Sequence, residues 1–108
     1  MTVALDTVSA ALFADLLGDG FALRGPGGQD LAVTLASCRE SPHSTMAGSP
    51  RTAFSLVFHC PAAAAGPFRG GHCVLTHPAF GEIGPLYVER ILPTGVPPGS
   101  AAYQAVFN

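Results

Sequence analysis

FSLVFHC at 54–60, CVLTHP at 73–78, LYVERIL at 86–92 and YQAVFN at 103–108 are four apolar runs, each parted from the next by glycine and proline. Short runs rich in Val, Phe, Tyr and Leu between such breakers read as strands. In a strand successive side chains face opposite sides of the sheet, so Phe54, Leu56 and Phe58 share one face and Ser55, Val57 and His59 the other. In the last run Tyr103, Ala105 and Phe107 share a face. Tyr103 and Phe107 are expected in the core, with Val106 covered by a helix or a partner. The run ends on the final residue, so the C-terminus is expected to be stitched into the sheet.

Towards the N-terminus, FALR at 21–24 and LAVTLA at 31–36 read as two more strands, a hairpin joined by the glycine turn GPGGQ at 25–29. That turn lies between strands and no Lys-Ser/Thr follows it, so it is a hairpin turn and not a phosphate loop. SAALFADLL at 9–17 is the one helix. Ser9 or Thr7 can cap it, alanines favour it, and Phe13, Leu16 and Leu17 share a face before Gly18 stops it. At about two and a half turns it cannot stand alone, so it is expected to plug a sheet or one mouth of a barrel. The segment ESPHSTMAGSPR at 40–51 is the longest irregular stretch and is expected to be exposed, and PAAAAGPFRGG at 61–71 to be a plain connection. The fold expected is mainly β: an antiparallel roll or small barrel of about six strands with one short N-terminal helix, as one domain over 1–108.

Composition narrows the functional classes. Charged residues make up only 11% of the 108-residue chain and hydrophobic ones 48%, about half the usual charged share. A neutral surface of this kind invites a protein partner or self-association. All five basic residues are arginines, spread at 24, 39, 51, 69 and 90, and the net charge is −2. No basic stripe can neutralise phosphates, so nucleic acid is not an expected partner. No apolar run is long enough to span a membrane. The first seventeen residues carry Asp6 and Asp15 and no positive n-region, so no cleavable signal peptide and a cytoplasmically made protein are expected. Incorporation into an exported assembly stays open.

Candidate chemistry centres on two His-Cys pairs, His59-Cys60 and His72-Cys73, in runs taken as adjacent strands. These are zinc-type ligands. Alternation, however, puts Cys60 with Phe58 and Cys73 with Leu75 on the core face, and His59 and His72 on the other. The plainer reading is two buried thiols and two surface imidazoles. A Cys60–Cys73 cross-strand disulfide is an intermediate alternative that needs an oxidising compartment. Cys38 makes the count odd, so no disulfide framework is expected. His77 precedes Pro78 and is expected to serve the turn by bonding a backbone carbonyl. As a catalytic base it would need a partner from Glu82, Glu89 or Ser55. Arg51 and Arg90 are expected to pair with a carboxylate or a backbone carbonyl. Phe68 and Phe80 sit in turns and are the expected exposed contact residues. No cofactor and no catalytic residue is expected.

Leu17-Gly18, Phe21, Arg51, Phe54 to Phe58, His77-Pro78, Gly81 and the closing Tyr103 to Asn108, taken in that order, resemble a small uncharacterised bacterial domain family of about a hundred residues that ends in a Tyr-x-x-Val-Phe-Asn strand. The resemblance implies no activity and transfers no catalytic residue. It does imply a genomic setting near phage-tail-like collar proteins of the microcystin-dependent type. Cys60, Cys73 and His59 lie outside the shared motifs. Three functions follow as expectations: first, a non-enzymatic structural or interaction module, accessory to a tail-like or surface assembly. The alternatives are a small-molecule-binding barrel and a metal or enzymatic site at His59, Cys60, His72, Cys73 and His77.

Overall fold

A computed structural model of the chain describes residues 2–3, 8–41 and 52–107. Its elements are β1 (Thr2–Val3), α1 (Ala10–Ala14), β2 (Gly20–Arg24), β3 (Asp30–Glu40), β4 (Phe54–Pro61), α2 (Ala62–Ala65), β5 (Gly70–His77), β6 (Gly81–Ile91) and β7 (Ser100–Phe107). β1 runs parallel to the start of β6. The other six strands pair antiparallel in the order β5-β2-β3-β4-β7-β6, and β6 pairs back to β5. The sheet therefore closes into a six-stranded antiparallel barrel, which removes the exposed edges an open sheet would carry. Bulges between Leu35 and Ser37 in β3 and between Cys73 and Leu75 in β5 shift the register, and such bends help a sheet curl to closure.

Alternation explains the interior. β4 buries Phe54, Leu56, Phe58 and Cys60 and leaves the residues between them half-buried. β7 buries Tyr103, Ala105 and Phe107, as expected from the parity of the closing run. Leu23, Leu35, Leu75, Ile83 and Val88 complete the core from the other walls. Phe54 and Phe107, paired across β4 and β7, stack with centroids 4.6 Å apart and planes within 4°. These large buried side chains point into the lumen. The hairpin at 25–29 is closed by Gly25 N–H to Gln29 O and Gly28 N–H to Gly25 O.

The two mouths are closed differently. At one, α1 drives Phe13 against Phe21, Phe54, Phe80 and Phe107 at 5.9–6.4 Å between ring centroids. The helix is shorter than 9–17: it ends at Ala14, with turns through Gly18 (φ 85°). Past that end Leu17 leaves the helical track, and it is 51% exposed instead of sharing the buried face of Phe13. Ser9 occupies the N-cap position without a side-chain capping bond. At the other mouth α2 lays Ala65 over the interior, in the segment read from sequence as a plain connection. β6 likewise begins at Gly81 rather than Leu86. The 40–51 segment lies outside the described residues apart from Glu40 and Ser41.

Candidate functional site

His77 is the inward-facing last residue of β5 and the one polar residue among the buried positions of the described chain. It lies at the mouth plugged by α1, its ring 4.6 Å from that of Phe21 and 5.6 Å from that of Phe80. The Ala79 N–H donates to Nδ1 at 2.9 Å. With Nδ1 an acceptor, the neutral ring carries its proton on Nε2, and that N–H donates to Asp19 Oδ2 at 3.1 Å. The imidazole is expected against a backbone carbonyl; it accepts a backbone N–H instead, because the tight turn at Pro78 points an amide at the ring. Asp19, in the link between α1 and β2, is a carboxylate that no sequence motif pairs with His77. Antiparallel pairing of β2 with β5 brings it there, and nothing in the spacing announced that pairing.

This arrangement resembles an imidazole oriented by a carboxylate, yet both ring nitrogens are committed. A general base needs a free lone pair facing its substrate, and here the lone pair holds the turn. The pair serves as a bracket between the β5–β6 turn and the entry to β2. Of the other suggested partners, Glu82 makes an exposed ion pair with Arg24 at 3.5 Å. Ser55 pairs across the wall with Arg39 and Val106, and Glu89 with Gly70 and Gln104.

The His-Cys pairs do not converge. β4 and β5 are not neighbours: three steps separate them around the barrel in either direction. The expected adjacency of Cys60 and Cys73 is corrected, because the 61–69 segment carries the chain over the mouth to the opposite wall. Both thiols are buried and free, and both are pushed up from the usual thiol range by burial, that of Cys60 partly relieved by the Arg90 charge. The half-buried Cys38 is raised by burial and by Glu40. His59 and His72 take the alternate parity to these thiols, half-buried and exposed respectively. Among the described residues no three His, Cys, Asp or Glu side chains come together as a metal site.

The expected exposure of the turn phenylalanines is also corrected. Phe80 is buried at 3% exposure, drawn under the α1 plug, and Phe68 is half-buried against the ring of Tyr103. The Tyr103 hydroxyl donates to Phe68 O at 2.7 Å, and Arg90 Nη1 donates to Gly66 O at 2.7 Å and Phe68 O at 3.3 Å. Arg90 thus binds backbone carbonyls, one of its two expected partners; Arg51 lies outside the described residues. Burial raises the Tyr103 hydroxyl, with nearby Arg90 opposing.

Among the described residues the exposed large apolar groups are Leu17, Tyr87, Leu92 and Val106. Tyr87 and Val106 are 59% and 56% exposed, each one residue beyond the Val88–Ala105 pair where β6 and β7 part. His72 pairs with Tyr87 across β5 and β6, ring edge to face at 5.6 Å. A stripe of His72, Tyr87 and Val106 therefore crosses the outer wall. Val106 is exposed among the described residues, not covered by the helix. No described helix is long and apolar enough to cross a membrane.

Compared with known proteins, residues 8–107 match a family model described as a domain of unknown function (DUF6916). No curated protein and no solved structure matches the chain.

Proposed function

We propose that this chain, which belongs to that family of domains of unknown function, is a non-enzymatic interaction module that binds a protein partner or a copy of itself through the outer wall of its barrel. The observation that carries the reading is the stripe of His72, Tyr87 and Val106, aromatic and apolar groups left in solvent on a rigid sheet. Tyrosine on such a surface is a favoured interface anchor. Support also comes from the commitment of both nitrogens of His77 to the fold and from the large side chains packed in the lumen. The setting suggested by the sequence resemblance is a bacterial tail-like or surface assembly, with the domain made in the cytoplasm as an accessory.

Light scattering after size exclusion, with cross-linking in host extract, tests this. The native chain is expected as a dimer or larger species, or in a defined complex, and Tyr87→Lys with Val106→Lys should release a folded monomer. A native chain that stays monomeric at every concentration and cross-links to nothing would refute it.

A further inference from the structure

The geometry points to a second binding site, for a small zwitterion with an apolar body such as a free α-amino acid, in the cleft at the barrel mouth beneath the 64–70 segment. The cleft holds about 370 Å³ and is lined by Pro26, Asp30, Leu31, Ala65, Phe68 and Arg69, among others. That is at the small end of the range for ligand pockets, and barrel mouths are favoured places for them. Leu31 and Ala65 are buried and Phe68 half-buried, so these three give an apolar floor. Asp30 and Arg69 are exposed on its rim. Neither the Asp30 carboxylate nor the Arg69 guanidinium makes a hydrogen bond or ion pair among the described residues. A ligand of one charge would leave the opposite rim charge unmatched. A ligand that carries an ammonium, a carboxylate and an apolar side chain matches both charges and the floor.

The cleft is built in advance of any ligand. Tyr103 and Arg90 hold the Phe68 carbonyl, Arg90 holds that of Gly66, and the Arg90 N–H donates to Arg69 O at 3.0 Å. The segment that carries Phe68 and Arg69 is thus pinned by a directly paired residue of β6 and of β7. Gly25 makes room for the ring: a Cβ there would sit 2.7 Å from a Phe68 ring carbon. A wall fixed before binding reduces the ordering cost that weak ligands struggle to offset.

The test is an amide-resolved NMR titration of the full chain with L-leucine. N-acetyl-leucine (no cation) and leucinamide (no carboxylate) serve as comparison ligands. The expected result is saturable shifts confined to residues around 25–31 and 64–70, with millimolar affinity. Because exposed charge pairs are weak, each comparison ligand should bind about two- to fivefold more weakly. Arg69→Gln should erase the preference for leucine over leucinamide, and Asp30→Asn that over N-acetyl-leucine. Both positions are on the surface, and the unchanged amide spectrum of each variant would show that it folds. The absence of saturable shifts at these residues overturns the site. So does equal binding of all three ligands, or an unaltered preference in both variants.

Discussion

Replacing Phe13 by alanine removes the ring that closes one mouth of the barrel. Phe13 is fully buried and meets four aromatic rings, Phe21, Phe54, Phe80 and Phe107, with centroids at 6.4, 6.0, 5.9 and 6.1 Å. Loss of a buried phenylalanine costs about 3–5 kcal/mol in transferred surface and residual cavity together. This site belongs at the upper end, because its neighbours sit on three strands and a turn and cannot collapse inward as a unit. A domain of this size has roughly 5–15 kcal/mol in all, so the variant loses a large share of its stability. In urea, with a slope of about 2 kcal/mol per molar, the midpoint should fall by about 2 M. Equilibrium denaturation followed by far-UV circular dichroism measures it. Leu17→Ala, on the same segment but half in solvent, is the control and should change stability by no more than about 0.5 kcal/mol. If Phe13→Ala costs under about 1 kcal/mol, or no more than Leu17→Ala, the helix is not a plug and the account of this mouth fails.

Removal of residues 106–108 takes away Phe107, stacked on Phe54 at 4.6 Å, and should cost at least about 3 kcal/mol; a truncated chain that keeps its melting temperature would show the end of β7 to be dispensable. Tyr103→Phe deletes the donor to Phe68 O while Arg90 still reaches that carbonyl, so a loss of about 1–2 kcal/mol is expected by urea titration, and no loss would mean that the 66–69 segment is not held by this bond. The raised thiols of Cys60 and Cys73 set a direction with pH. Above the unfolded-chain value near 9.0 the unfolded state sheds protons that the folded state keeps, so their contribution is complete below that pH and is lost as pH rises through the higher folded values. The urea midpoint should therefore decline in alkali, and less steeply in a Cys60→Ala, Cys73→Ala double variant; equal slopes would contradict the burial of the thiols. A thiol-specific reagent at neutral pH should label at most Cys38 in the native chain and all three cysteines after denaturation, and rapid native labelling of two would place one of the buried pair at the surface.

Period-two alternation carried most of the architecture. The runs at 54–60 and 103–108 named their own buried faces, since a strand with one face in the core has only one parity that hides its large side chains. Alternation also separated the imidazoles from the thiols of the His-Cys pairs, and the 25–29 hairpin followed from its glycines. Where the reading missed, long-range geometry was responsible. Phe68 and Phe80 lie between strands, and turn residues carry no parity, so only the α1 plug and the Tyr103 wall reveal that they are covered. Leu17 lost its face because the helix stopped early. The partner of His77 came from fifty-eight residues away, through a β2–β5 pairing that no local pattern encodes.

By itself, then, the sequence determined most of the strands, their buried faces and the presence of the closing helix, because each depends on neighbours a few residues apart. Only the tertiary structure decided that β4 and β5 stand on opposite walls, that Asp19 meets His77, and that Asp30 and Arg69 share one cleft. Those juxtapositions depend on barrel closure, which joins distant segments by pairing energies summed over the whole sheet, and no single stretch of chain contains that sum.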